Sequence, residues 1–378
     1  MRYYIIAGEA SGDLHGSNLM KGLAVTDREA DFRFWGGDLM NAVGGTLVRH
    51  YRDGAVMGAT EVLAKAGKIL GNLSFCKKDI LSWSPDAVIL IDYPGFNMKI
   101  AKFCHEKGIK VFYYIAPKTW ASREGRNRKL KAWVDRLFIV FPFEIPYFTE
   151  KGIPFTYKGN PLIDAVDNAP SGTPPCPGKY IAMLAGSRKG EISRMMPVYM
   201  QVADRLRATS RYRDYTFVVA GAPSRCMDDY AAAVQGRDFV KVTFGNTYDV
   251  LRYADAAVIN SGTASLEAAL IGTPQVVCYR MSAVTAFIAR KILKVLDNVK
   301  FISLGNLIIG RLAFRELIQE EFNADSVTGE VQRLIEDREY REKMISDYSD
   351  IRNALGGKGA SEAVAKAMIE TLNNNQHE

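Results

Sequence analysis

Apolar positions along this chain fall in short runs separated by longer stretches of helical period. Residues 3–7, 32–35, 87–91, 110–114 and 136–140 read as strands in the first half. The run at 87–91, Ala-Val-Ile-Leu-Ile, has no polar interruption, as a strand covered on both faces requires. Between the runs lie helical patterns: Leu14, Leu19 and Leu23 follow the turn 8–13, and 55–78 is apolar on one side, with Lys65, Lys68, Lys77 and Lys78 on or near its ends. Strands alternating with helices predict a parallel sheet wrapped by helices. The alternation restarts with apolar runs at 180–184, 216–220, 240–242, 256–259 and 275–279. Between the two series, residues 170–177 carry Pro170, Pro174, Pro175 and Pro177, a linker composition that predicts a domain boundary. The fold class expected is α/β, with two tandem Rossmann-like domains, 1–169 and 178–355, joined by 170–177 and facing a central cleft. The tail is helical at 326–334 and 338–355, breaks at Gly356-Gly357-Lys358-Gly359, and ends in an amphipathic helix. That last segment, 358–378, is expected to return to the N-terminal domain.

Composition narrows this picture without redirecting it. At 378 residues the chain is long for one core, which agrees with two domains. Its 48% hydrophobic and 24% charged content are those of a globular protein, and no apolar run approaches the roughly 18 residues of a membrane span. A net charge of +7 favours anionic partners and selects none of them. The cysteines (76, 104, 176, 226 and 278) are scattered without a CxxC pair, which reads as reduced thiols and not as zinc ligands or disulfides. The N-terminus runs straight into a strand and a glycine turn, so no signal peptide is expected.

Candidate chemistry collects at strand ends. Residues 255–277 form a strand–turn–helix–strand unit whose turn, Asn260-Ser261-Gly262-Thr263, opens a helix carrying Glu267. Backbone N–H groups at such a turn suit a phosphate, and a carboxylate a turn later suits a ribose diol. An ordinary capped βα turn is the plainer alternative. The stretch Leu184-Ala185-Gly186-Ser187-Arg188 has the same design with a fixed cation added at Arg188. The opening turn, Gly8-Glu9-Ala10-Ser11-Gly12-Asp13, is not GxGxxG and has no acidic residue ending a second strand, which speaks against NAD. Glu9, Ser11 and Asp13 are better suited to sugar hydroxyls than to a phosphate; a capped helix with solvated acids is the alternative. Asp92, at the end of the 87–91 strand, is placed for general-base work, or else caps the turn before Pro94. Residues 113–122 offer aromatic and small polar groups with Lys118 for a sugar face or an anion. The helix 284–296, with Arg290, Lys291 and Lys294, is amphipathic and basic, and packs on one side or meets a membrane surface. Asn306, in an apolar segment, must hydrogen-bond something if buried, and a ligand is one candidate. No Walker A sequence, no DxD pair and no histidine cluster occurs, so neither a metal nor a cofactor is expected.

Taken together, AGEASGD at 7–13, IDYPGFN at 91–97, APKTW at 116–120, LAGSRKGEI at 184–192, NSGTASLE at 260–267, CYRMS at 278–282 and SLGNLIIGR at 303–311 closely resemble the lipid-A-disaccharide synthases. The resemblance implies an inverting, metal-independent glycosyltransferase of GT-B architecture. Such an enzyme joins UDP-2,3-diacylglucosamine to 2,3-diacylglucosamine 1-phosphate (lipid X), giving a β(1→6) disaccharide and UDP. It implies a peripheral protein on the cytoplasmic face of the inner membrane, drawn to an anionic surface, with no nucleic-acid partner; a homodimer with an exchanged C-terminal segment stays open. By position, Asp92 resembles the family's essential aspartate, Arg188 its essential arginine, Asn306 the asparagine of its SLPN motif, and Glu267 the acid that holds the UDP ribose. Gly186, Ser187, Ser261, Gly262 and Thr263 would then face the UDP-sugar, and Glu9, Ser11 and Asp13 the acceptor. Two departures stand out: Gly95 replaces an aspartate, and Gly305 replaces a proline, with a more mobile loop expected around Asn306. The rival readings are another UDP-sugar enzyme, such as a 2-epimerase or the lipid II glycosyltransferase, and a non-catalytic nucleotide-sugar-binding module.

Overall fold

The structure, a computed structural model, describes residues 1–54, 62–121, 124–281 and 300–374. The basic helix expected at 284–296, Ser122 and the first residues of the helix expected at 55–78 lie outside them. The chain forms two compact units, Met1–Ala165 with Gly357–Glu378, and Val166–Gly356. The proline-rich stretch 170–177 belongs to the second unit, where Gly172 N–H donates to the Asp249 carboxylate (2.9 Å) and Tyr253 O–H donates to the Gly172 carbonyl (2.9 Å).

The first unit is built on a parallel sheet of β1 (Arg2–Ala7), β2 (Asp31–Gly36), β3 (Thr46–His50), β4 (Ala87–Ile91), β5 (Lys110–Tyr114), β6 (Arg136–Ile139) and β7 (Phe155–Tyr157). Their order is β3-β2-β1-β4-β5-β6-β7, each neighbouring pair parallel. Helices cover both faces, so every residue of β4 and all of β1 beyond Arg2 are buried. Helix Ala10–Thr26 packs against the terminal helix Ala360–Asn374, and the approach is close: a Cβ at Gly22 would lie 3.0 Å from the Glu362 Cα. The Asp164 carboxylate caps that terminal helix, accepting from the N–H groups of Gly359 (2.6 Å) and Ser361 (2.9 Å).

The second unit repeats the plan with β8 (Tyr180–Leu184), β9 (Thr216–Gly221), β10 (Val240–Phe244), β11 (Ala256–Asn260), β12 (Gln275–Tyr279) and β13 (Glu316–Ile318). Their order is β10-β9-β8-β11-β12-β13, again all parallel. The alternation of strands and helices thus becomes two doubly wound sheets. No helix among the described residues is long and apolar enough to cross a membrane.

Candidate active site

In an open parallel sheet, a crevice forms outside the carboxyl ends of the two strands at which the winding direction reverses. That reversal falls between β1 and β4 in the first unit and between β8 and β11 in the second. The turns at those four strand ends are the ones that carry Glu9, Asp92, Arg188 and Ser261–Thr263.

In the first unit, Asp92 follows β4 with φ +43° and Tyr93 continues with φ +49°, two successive non-glycine residues in the left-handed region. Each costs about 1–3 kcal/mol, which the surroundings must offset. They do so by fixing the Asp92 peptide at both ends. Its N–H donates to the Tyr114 carbonyl (3.2 Å), while its carbonyl accepts from Asn97 Nδ2 (2.8 Å) and the Tyr113 hydroxyl (2.7 Å). Asp92 itself is half-buried. The Tyr93 ring lies across Gly8, where a Cβ would come within 2.4 Å of it, and stacks on Phe96 at 5.6 Å. Burial, with the Glu9 charge beside it, raises the Tyr93 phenol above its ordinary range. Glu9 is exposed, in extended backbone at the start of helix Ala10–Thr26, and Ser11 is exposed in that helix's first turn. Gly95 stands in the first turn of helix Pro94–Glu106 with open space around it.

Asp13 requires a correction. It is buried, and its carboxylate accepts from the N–H groups of Gly37 (2.8 Å), Met40 (3.0 Å) and Leu39 (3.1 Å), capping the helix Asp38–Val43. Those three donors occupy it, so it braces β2's exit rather than receiving a sugar.

In the second unit, the turns after β8 and β11 touch. Gly186 has φ +101°, and a Cβ there would stand 2.5 Å from Asn260 Nδ2 and 2.5 Å from Glu191 Oε2. Glu191 reaches back from the first turn of helix Lys189–Arg207 to accept from Ser187 N–H (3.1 Å) and Arg188 N–H (3.3 Å), as in a capping box. The backbone donors expected to meet a phosphate at Ser187 are therefore engaged by Glu191. The Arg188 guanidinium is mostly exposed, 3.5 Å from Glu191 Oε1. After β11, Ser261 N–H donates to the Cys278 carbonyl (2.9 Å), Gly262 precedes the helix Thr263–Ile271, and Thr263 is its first residue. The first-turn N–H groups of such a helix have no acceptor within it. Glu267, half-buried one turn on, accepts from the Tyr248 hydroxyl (3.0 Å), and burial raises its carboxyl above the ordinary range.

Asn306 is the second correction. It is fully buried; its Nδ2 donates to the Phe314 carbonyl (2.9 Å) and Glu316 (2.8 Å), and its Oδ1 accepts from Ala313 N–H (2.8 Å) and Phe314 N–H (3.4 Å). The amide is filled from within the unit. It holds Glu316, which also accepts from the N–H groups of Ile302 and Ser303. Gly305 is likewise not a source of mobility. It is buried in helix Leu304–Ile309, where a Cβ would press on Phe314 at 2.8 Å and Ile351 at 3.0 Å. A larger residue there would have to displace the ends of the Phe314 and Ile351 side chains.

Sequence reasoning assigned no task to Asn97, Glu191 or Tyr248, which hold Asp92, the Arg188 turn and Glu267 in place. Asn97 and Glu191 stand inside motifs quoted above, whereas Tyr248 leaves no sequence signal. Among the described residues, no group of three or more His, Cys, Asp or Glu is placed to hold a metal ion.

Two doubly wound parallel units with polar turns at both switch points are the architecture of the GT-B class of glycosyltransferases and epimerases. The solved UDP-GlcNAc 2-epimerase of Neisseria meningitidis, bound to UDP-GlcNAc, superposes with TM-score 0.67 over 98% of this chain and 100% of its own, at 13% identity. The glycosyltransferase of kitacinnamycin gives 0.62 over 98% of each chain at 15% identity. Within that class, the model of the family described as lipid-A-disaccharide synthetase matches residues 3–370. The lipid-A-disaccharide synthases of Geobacter metallireducens and Geobacter sulfurreducens are 38% and 37% identical over 98% of this chain and 97% of theirs. The chain belongs to the lipid-A-disaccharide synthetase family and is a glycosyltransferase.

Proposed function

We propose that the enzyme joins UDP-2,3-diacylglucosamine to 2,3-diacylglucosamine 1-phosphate in one inverting displacement, with the chemistry divided between its units. The first unit takes the acceptor: Asp92 removes the proton from the 6-hydroxyl as it attacks the anomeric carbon, and Glu9 and Ser11 meet sugar hydroxyls. The second unit takes the donor. Arg188 meets the charge that grows on the departing diphosphate, aided by backbone donors at Gly186 and the Gly262–Thr263 helix start, while Glu267 orients the ribose. Remote binding of the acyl chains contributes positioning.

The observation that carries this reading is the Asp92 turn. Strained backbone held from both sides at a switch-point strand end is the mark of a group whose placement matters more than its cost. Amphiphilic substrates also suit a protein seated on the anionic cytoplasmic face of the inner membrane. The helix Val62–Trp83 supports that placement, exposing Ile69, Leu70 and Phe75 close to Lys77 and Lys78.

The test is UDP release in detergent with EDTA. Release is expected only when donor and acceptor are both present. Asp92→Ala should lower kcat by about 10²–10⁴-fold with the fold intact. A fully active variant removes Asp92 as the base, and release without acceptor removes the transferase mechanism.

A further inference from the structure

A buried carboxylate with no part in the scheme above lies at the neighbouring strand ends of the first unit. Glu144, at the start of helix Glu144–Glu150, is 1% exposed. Its Oε2 accepts from the N–H groups of Val140 (3.2 Å) and Phe141 (3.1 Å), in the loop that leaves β6. Its Oε1 accepts from the indole N–H of Trp120 (3.2 Å), in the loop that leaves β5. The two loops are thereby tied through one side chain. Aromatic packing closes the same joint: Trp120 meets the Phe143 ring edge to face at 4.9 Å, and Phe143 stacks on Phe141 at 5.3 Å.

The strand from which the Trp120 loop leaves is joined to the Asp92 turn. β5 pairs with β4, and the Tyr114 carbonyl at its end is the acceptor of the Asp92 N–H. The next residue, Ile115, has φ +61°, a left-handed conformation that a β-branched side chain resists, and its N–H is held by the Phe138 carbonyl (3.0 Å). The loop is steered at its root by Ile115 and at its far end by Glu144.

We infer that Glu144 is a positioning residue for the acceptor: it fixes Trp120 and the 116–121 loop, so that an aromatic face stands ready beyond the end of β5, the strand paired with the one that leads into Asp92, for the acceptor's sugar ring. This rests on the reading of the first unit as the acceptor's. A half-buried indole is a rigid platform for an apolar ring face, and its value lies in being ordered before the ligand arrives. The charged carboxylate is what suits the joint, because three N–H donors converge on two oxygens. A protonated carboxyl would turn an O–H toward one of those donors, and the single bond to the Trp120 indole, which is not backbone, is the one to yield. Burial pushes Glu144 up to about 7, against the opposing pull of the Phe141 and Val140 N–H groups, Trp120 and the Lys118 charge. The other titratable group facing it is Tyr157 of β7, whose phenol its charge helps to raise. The acceptor KM should therefore rise as pH falls through about 7.

The experiment measures kcat and the KM of each substrate from pH 6 to 8.5 for the wild type, Glu144→Gln, Trp120→Phe and the double variant, with thermal unfolding of each. In Glu144→Gln, an oxygen left on the Val140 and Phe141 donors turns the amide NH₂ against the indole N–H. That variant should raise the acceptor KM about tenfold, leave the donor KM unchanged and lose the pH dependence. Replacing Trp120 by Phe in the same background removes the opposing donor and should recover most of the loss. Trp120→Phe alone should flatten the pH profile, which tests the link even if Glu144→Gln fails to fold. Equal changes in both KM values, or single effects that multiply in the double variant, would make Glu144 a purely structural group. If Asp92→Ala proves active while the acceptor KM still splits from the donor KM, the base assignment falls and the Glu144 inference stands.

Discussion

At the scale of single residues, the deciding question is where each polar atom's hydrogen bonds go. Arg188 and Asn306 both belong to family motifs, yet one guanidinium is mostly exposed and the other amide is filled by four internal contacts. Their loss should read differently. Asn306→Ala strands the buried Phe314 and Ala313 groups and frees Glu316, so it should cost about 1–3 kcal/mol of stability, and activity should fall with it. Arg188→Ala should lower kcat by roughly 10²–10³-fold with the unfolding transition unmoved. Melting curves alongside turnover separate the two; an Asn306→Ala enzyme that is inactive but equally stable would return that residue to the donor site. The same accounting explains which candidate residues' places in the fold were legible in the sequence. Asp92, Glu9 and Ser261–Thr263 stand at strand ends, which apolar runs reveal. Asp13 has the same sequence signature, but its donors come from residues 37–40, a partnership that only folding creates.

At the scale of elements, the buried central strands were readable, whereas the edge strands β3, β7 and β13 were not. β1, β4, β8 and β11 are near-continuous apolar runs because helices cover both their faces. β3, β7 and β13, with sequences TLVRH, FTY and ELI, are short, partly exposed and mixed in polarity, and nothing local distinguishes them from loop. Glycine's task in a helix is equally silent. Gly22 sits mid-helix, where alanine would ordinarily stabilise by up to about 1 kcal/mol. Here a Cβ meets the Glu362 backbone at 3.0 Å and Ala365 Cβ at 3.1 Å. Gly22→Ala should therefore give no gain, and Gly22→Leu should destabilise by about 1–3 kcal/mol in thermal unfolding. A leucine variant as stable as the wild type would show that the helix pair can part at little cost.

At the scale of the whole molecule, the first unit is assembled from the two ends of the chain. Its terminal helix buries Val364, Ala365, Met368 and Leu372, and helix Ala10–Thr26 is the surface they cover. Removing residues 357–378 should leave the second unit folded while the first is degraded under limited proteolysis, with fragments mapped by mass spectrometry. Survival of both units at equal rates would show the terminal helix to be dispensable.

That closing helix also sets an order of events during synthesis. The sheet of the first unit has left the ribosome once residue 165 is out, but the segment that covers it follows only after residues 166–356. At about 5–20 residues per second, the interval is roughly 10–40 seconds, long compared with the formation of a helix or a sheet. For that time the apolar flank of helix Ala10–Thr26 has no native cover, and a chaperone that binds apolar helical surface is the expected stand-in. The second unit is continuous in sequence and can finish first, so a segment made after it completes the unit begun before it.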